Sequence, residues 1–173
     1  MPPRMVPVLS GNQIQKKVKE LARRISEDYR GKEIVLVGVL KGAFIFLADL
    51  VREIDVPAQI GFIRLTSYGS KTSTSGRIRI TKDIELDIQG RHVLIVEDIV
   101  DSGLTIAYLL SHLKQRRPES IRVCALIDKR ERRKVQVQVD YAGHVVDQGF
   151  LVGYGLDFDE KYRNLPEVFH LKF

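Results

Sequence analysis

One stretch constrains the fold more than any other: Val93-Leu94-Ile95-Val96-Glu97-Asp98-Ile99-Val100-Asp101-Ser102-Gly103-Leu104-Thr105. Apolar, mainly β-branched residues run straight into two carboxylates, Glu97 and Asp98. A third carboxylate, a Ser-Gly pair and a Thr follow, and then Ile106, Leu109, Leu110 and Leu113 recur at helical spacing. That order suits a buried parallel strand, a turn and the start of a helix. Such a turn leaves unpaired N–H groups at the positive end of a helix dipole, which favours a phosphate. The carboxylates beside it repel a bare phosphate, so they suit sugar hydroxyls or a divalent cation instead. One loop thus offers an anion cradle with an acidic rim, as a sugar phosphate handled with a metal requires.

The rest of the chain alternates strands with helices. Ser10 and Gln13 form a capping box for a first helix with Ile14, Val18, Leu21, Ala22 and Ile25 on one face, and Gly31 suits its stop. Residues 34–40 read as a buried strand, 43–51 as a short apolar helix, 59–65 and 121–127 as further strands, with a short one near Val145. Residues 66–76, rich in Ser, Thr and Gly, read as a mobile loop, and 78–88 as extended ribbon with solvent on one side. The pattern predicts an α/β fold with a mostly parallel central sheet flanked by helices, in one domain spanning 1–173. Ligands of such sheets sit beyond the carboxyl ends of the strands, where the acidic loop falls. The segment 149–166 is dense in aromatics and glycine and reads as built for surface contact.

Composition narrows the function classes. Apolar residues at 44% and charged residues at 29% fit a soluble globular chain. No apolar run reaches membrane-spanning length, and residues 1–7 do not read as a signal peptide, so a cytoplasmic protein without a membrane partner is expected. The single cysteine excludes an intrachain disulfide, and Cys124 reads as a buried core thiol. A net charge of +6 admits polyanionic partners, either nucleic acid or a small phosphorylated substrate. The densest basic cluster is Lys129-Arg130-Glu131-Arg132-Arg133-Lys134, in which Arg130, Arg132, Arg133 and Lys134 read as a solvated face or a source of electrostatic attraction. The four histidines show no zinc-ligand spacing.

The stretch 93–105 resembles the phosphoribosyl-diphosphate signature of the type I phosphoribosyltransferases, with every fixed position filled. Three further segments sharpen the match to the hypoxanthine-guanine phosphoribosyltransferases: Gly38-Val39-Leu40-Lys41-Gly42, Ser67-Tyr68-Gly69, and Val152-Gly153-Tyr154-Gly155-Leu156-Asp157 continuing to Tyr162-Arg163-Asn164-Leu165-Pro166. The resemblance implies the type I fold, with a small hood from the C-terminal segment and N-terminal residues. It implies purine salvage: transfer of phosphoribosyl from phosphoribosyl diphosphate to N9 of hypoxanthine and guanine, giving IMP or GMP and pyrophosphate. Magnesium (Mg2+) is the implied cofactor, and a homodimer or homotetramer the implied assembly, with no nucleic-acid partner.

The same resemblance assigns roles. Asp101 is the candidate acid/base at the purine, with a helix cap as its alternative role. Glu97 and Asp98 hold the ribose hydroxyls and, with Asp157, the metal. Neighbouring side chains of a regular strand point to opposite faces, so a turn at Glu97 is expected if both are to reach one ligand. Ser102, Gly103, Leu104 and Thr105 cradle the 5′-phosphate. Lys129 donates to the purine O6, Phe150 stacks on the ring, the Leu151 backbone meets its Watson–Crick edge, and Asp157 lies on the purine side. Lys41, Gly42 and Arg163 meet pyrophosphate, across a Leu40-Lys41 peptide that is cis in some members, and Ser67 and Tyr68 belong to a lid. Two rivals stand beside this reading: a xanthine-preferring relative, and an RNA-binding regulator on the same fold, as in the pyrimidine-operon attenuation proteins, which the basic run from Lys129 keeps open.

Overall fold

A computed structural model describes residues 1–68 and 77–173. The first half of the chain runs β1 (Arg4–Leu9), α1 (Gly11–Asp28), β2 (Ile34–Leu40), α2 (Phe44–Glu53), β3 (Ala58–Tyr68) and β4 (Arg77–Lys82). The second half runs β5 (His92–Val100), α3 (Leu104–Lys114), β6 (Ser120–Lys129), β7 (Tyr141–Val146), β8 (Leu151–Val152) and β9 (Val168–Lys172). The main sheet has the order β4-β3-β2-β5-β6-β7, parallel except for the β3–β4 pair.

The unbroken apolar runs of β2, β5 and β6 are explained by burial on both faces. Ile34, Leu36, Leu94, Val96, Cys124 and Leu126 enter one core with the apolar faces of α1 and α2. Their neighbours Val35, Val37, Val93, Ile95, Val123 and Ala125 enter a second core with Ile106, Leu109 and Leu113 of α3. The two-residue period of a strand thus divides one sequence between two cores. Helix α1 starts at the expected capping box, with Gln13 N–H donating to Ser10 Oγ and Ser10 N–H to Gln13 Oε1.

The alternation slips at the C-terminal end of the two central strands. Val96 and Ile99 both face the α1/α2 core, while Val100 faces the α3 core; in β6, Leu126 and Ile127 share the first core. The slip falls at the point where Glu97, Asp98, Asp128 and Lys129 are buried, and it aims adjacent side chains away from strict opposition.

A second, antiparallel sheet of order β1-β9-β8 joins the N-terminal residues to the C-terminal segment, as the hood reading expects. Tyr154 Oη donates to Asp49 of α2 and ties the hood to the main body. Three expectations need correction. The segment 149–166 is not mere surface: Leu151, Val152, Tyr154 and Leu156 are buried, because tight turns with positive φ at Gly153, Tyr154 and Gly155 fold it back onto the core. Residues 66–68 are not loop but the end of β3, paired with Arg77, Ile78 and Arg79 of β4; the remainder of the expected mobile loop, including Gly69, lies outside the described residues. The ribbon expected over 78–88 ends at Lys82, and Ile84 and Ile88 then turn into the α3 core. Among the described residues no helix is long and apolar enough to cross a membrane.

Cys124 is fully buried in the centre of β6, and burial pushes its thiol well above the ordinary range. The thiolate is the reactive form. Native protein should therefore leave a thiol-specific chromogenic disulfide unreacted, and one thiol per chain should react once denaturant unfolds it. Rapid stoichiometric reaction of the native protein would contradict this packing.

Candidate active site

Strand β5 carries Glu97 and Asp98 into the interior, where both are almost fully buried. The strand continues through them to Val100, so the turn expected at Glu97 is absent; the slip in side-chain phase lets both carboxylates line the same two hollows. Asp98 N–H donates to Glu97 Oε1 at 3.2 Å and Ile99 N–H to Asp98 Oδ1 at 2.8 Å. Burial pushes the Glu97 carboxyl well up, and the adjacent Asp98 pushes it further. Burial also raises Asp98, against the opposing pull of its hydrogen bonds and of the Arg163 cation. An acid pair held this dry favours a ligand that brings hydroxyl donors or positive charge.

The first hollow, of about 230 Å³, is lined by residues 97–103 with Thr105 and Ile106. It sits over the N-terminus of α3, whose cap is Gly103 at φ 85°. Ser102 Oγ accepts from Leu104 N–H at 3.2 Å, so the helix-cap role considered for Asp101 is taken by its neighbours. Asp101 is free of that duty. Its Oδ1 is buried and, among the described residues, has no hydrogen-bond partner; its Oδ2 lies 3.6 Å from Lys129 Nζ. Lys129, the last residue of β6, is only 5% exposed. The two strand ends thus bring the proposed acid/base and the proposed O6 donor together.

The second hollow, of about 280 Å³, adjoins the first through Glu97 and Asp98 and is lined by Lys41, Gly42, Asp157, Glu160 and Arg163 among others. The Leu40-Lys41 peptide is cis. Gly42 packs so tightly that a Cβ would lie 2.0 Å from Asp98 Oδ2, and a Cβ on Gly155 would lie 2.2 Å from Gly42 O. Three distant segments therefore meet where only bare backbone fits. Arg163 Nη1 donates to Gly155 O at 2.7 Å, its Nη2 lies 3.3 Å from Asp157 Oδ1, and its Nε is buried without a partner among the described residues. An unpaired guanidinium N–H is suited to an anion.

Glu160 was not foreseen. Its carboxylate accepts from Lys41 Nζ at 2.9 Å and from Arg163 Nη2 at 3.2 Å, and both contacts hold it below the usual carboxylate range. It lies between two cations on the second hollow. No local pattern distinguishes it from the neighbouring Asp159, since its position depends on the left-handed backbone at both residues.

Arg133 was misread as solvated. Its guanidinium is largely withdrawn from solvent and bonds the ends of both central strands, because the segment after β6 folds back beneath the loop. Nothing in a run of similar cations separates it from Arg132.

On the hood, Phe150 is 39% exposed and packs edge-on against Phe158 and Phe173, which leaves ring surface available to a base. Leu151 follows it in β8, buried and paired with His170. Ser67 and Tyr68 lie at the end of β3, and the rest of the expected lid is outside the described residues. A larger cavity, of about 520 Å³ between α1 and the end of α2, is lined mainly by exposed residues and gathers none of these groups.

The acidic rim fits a cation in a particular way. Among the described residues no three His, Cys, Asp or Glu side chains converge as a ready-made metal cage. Asp157 Oδ2 accepts from Glu160 N–H at 3.0 Å, and Glu97 and Asp98 take up the neighbouring N–H groups. One or two carboxylates with substrate phosphates and water are the usual setting of magnesium, so the donor set fits a cation that arrives with its substrate.

Comparison with known proteins agrees with this geometry. The family model for the phosphoribosyl transferase domain matches residues 8–159. A hypoxanthine-guanine phosphoribosyltransferase from Mycobacterium avium is 50% identical over 167 residues, covering 93% of this chain and 82% of that protein. The crystal structure of a hypoxanthine-guanine phosphoribosyltransferase from Bacillus anthracis superposes with a TM-score of 0.91 at 47% identity, covering 95% of this chain and 97% of that one. That of hypoxanthine phosphoribosyl transferase from Trypanosoma cruzi gives a TM-score of 0.91 at 41% identity, covering 96% and 91%. The chain belongs to the phosphoribosyltransferase family, and within it to the hypoxanthine-guanine branch that these relatives define.

Gly155→Ala should test the close packing under the second hollow. The residue has φ 98° and no room for a Cβ beside Gly42 O. A loss of about 1–3 kcal/mol is expected, read as a lower urea midpoint with an unchanged slope. A midpoint equal to that of the wild type would show the contact to be looser than described.

Proposed function

We propose that the chain transfers the 5-phosphoribosyl group from phosphoribosyl diphosphate to N9 of hypoxanthine and guanine, giving IMP or GMP and pyrophosphate, with magnesium as cofactor. The observation that carries this reading is Asp101: a carboxylate with one buried oxygen unpartnered and the other 3.6 Å from the Lys129 ammonium, at the rim of an anion cradle. A 6-oxopurine meets that pair well. Its O6 accepts from Lys129, whereas the amino group of adenine sets donor against donor and leaves a buried ammonium unpaired. Phe150 stacks on the ring, and the Leu151 backbone meets its Watson–Crick edge, with Asp157 nearby.

The 5′-phosphate lies on the N–H groups and hydroxyls of residues 102–105 at the start of α3. Glu97 and Asp98 accept from the ribose hydroxyls, which supply the donors that the buried acid pair lacks. As the C1′–O bond to pyrophosphate breaks and the N9–C1′ bond forms, the purine proton passes to Asp101. Arg163, Lys41 and the Gly42 backbone receive pyrophosphate as Glu160 yields its place between the cations. Magnesium, held by Glu97, Asp98 or Asp157, would offset the diphosphate charge.

Cytoplasmic action and assembly as a homodimer or homotetramer belong to the same proposal. The Trypanosoma cruzi relative is described by the role of its C-terminal region in its oligomeric state and activity. The inward bonding of Arg133 and the burial of residues 151–156 within the hood speak against the RNA-binding alternative, since these residues are taken up inside the molecule.

Steady-state turnover with phosphoribosyl diphosphate and hypoxanthine, guanine, xanthine, adenine or uracil tests the reading. Hypoxanthine and guanine should turn over, adenine and uracil should not, and excess chelator should abolish activity until magnesium is restored. Preference for xanthine, or full activity in chelator, would overturn the base or the metal assignment respectively.

Asp101→Asn should leave phosphoribosyl diphosphate binding intact and lower kcat by about 10²–10⁴-fold, since an amide cannot take up the purine proton. With chemistry rate-limiting, near-normal kcat in this variant would remove the acid/base role.

A further inference from the structure

The geometry points to Arg133 as a positioning residue that fixes Asp101 against Lys129 and so sets the register between the phosphoribosyl and purine halves of the site. This inference rests on the roles proposed for those two residues. Arg133 lies on neither hollow and is not among the residues expected to touch a substrate. Its side chain is only 14% exposed, yet it reaches both central strand ends. Nε donates to Asp101 O at 2.9 Å. Nη2 donates to Lys129 O at 3.0 Å, and also to Asp128 Oδ1 and, at 3.4 Å, to Val100 O.

The backbone carbonyls of both chemically important residues therefore converge on one rigid cation. A planar guanidinium spans two acceptors in fixed directions, which the single point charge of lysine does not. Asp128, itself 5% exposed, neutralises the buried guanidinium from the β6 side. The bridge is also separable from the phosphate cradle. Lys134 N–H donates to Ser102 O at 2.8 Å and Val135 N–H donates to it at 3.2 Å, so Ser102 has backbone bonds of its own, and a lysine at 133 keeps the aliphatic stem that packs beside Gly103. Removing the guanidinium should displace Asp101 and Lys129 relative to each other and spare the phosphate-binding turn.

The test is a double-mutant cycle on the full-length protein, with Arg133→Lys and Asp101→Asn alone and together, each assayed below its own unfolding temperature. A misplacement of about 1 Å in a catalytic group is worth on the order of 10²-fold in rate. Arg133→Lys should therefore lower kcat/KM for hypoxanthine about 10²-fold, while the Kd for phosphoribosyl diphosphate, measured directly by calorimetry, changes less than about threefold. In the Asp101→Asn background the same change should cost less than about threefold, because the group it positions is already disabled. Additive losses, or parallel losses of purine turnover and phosphoribosyl diphosphate affinity, would overturn the inference. Should Arg133→Lys fail to fold, Asp128→Ala removes the carboxylate that holds the guanidinium on the β6 side and should give the same selective loss of purine turnover. A crystal structure of the variant provides a readout independent of activity: the 3.6 Å Lys129–Asp101 separation should change, and its preservation would overturn the positioning role even if the wild type proved inactive with purines.

Discussion

Two adjacent carboxylates buried at the end of the central strand set the terms for everything around them. Glu97 and Asp98 leave water on a strand that is otherwise apolar from Val93 to Val100, and each accepts a neighbouring backbone N–H in partial compensation. Burial raises both carboxyls, and the charge of Asp98 raises Glu97 further, so the pair is suited to a partner that brings donors or positive charge. Such burial persists only in a scaffold that is stable elsewhere. The two apolar cores flanking β2, β5 and β6 are that scaffold.

The slip in alternation explains how a single strand serves both packing and chemistry. Up to Val96, side chains divide strictly between the two cores; beyond it, the phase shifts and the acids converge on shared hollows. The parallel arrangement then places the ends of β2, β5 and β6 side by side, which brings Lys41, Asp101 and Lys129 to one edge of the sheet. The hood completes the site from the far end of the chain. Gly155 and Arg163 close on Gly42, and Gly42 presses on Asp98, so contacts that bridge more than a hundred residues of sequence meet at bare glycine backbone.

The cations of the site are organised by carboxylates that take no part in the proposed chemistry. Asp128 neutralises Arg133, and Glu160 bridges Lys41 and Arg163. The two arrangements differ in kind. The first is largely buried and holds strand ends together; the second places an exposed carboxylate between its cations, where solvent weakens the pairing.

The sequence by itself determined the parallel α/β architecture, because unbroken apolar runs require burial on both faces of a sheet and the strand–turn–helix order leaves few alternatives. It also determined the turn at Ser102-Gly103 that starts a helix at Leu104, and the capping box at Ser10, both of which are local. Only the tertiary structure decided the rest. That Asp101 is relieved of capping, that Glu97 and Asp98 share a hollow without a turn, and that one arginine of a basic run turns inward onto Asp101 while its neighbours stay in solvent all depend on tertiary contacts. Side-chain periodicity reports which face a residue occupies within its own element. It carries no information on the strand phase slip, the left-handed turns of 153–162 or the return of 130–137 beneath the loop, and these are what assemble the site.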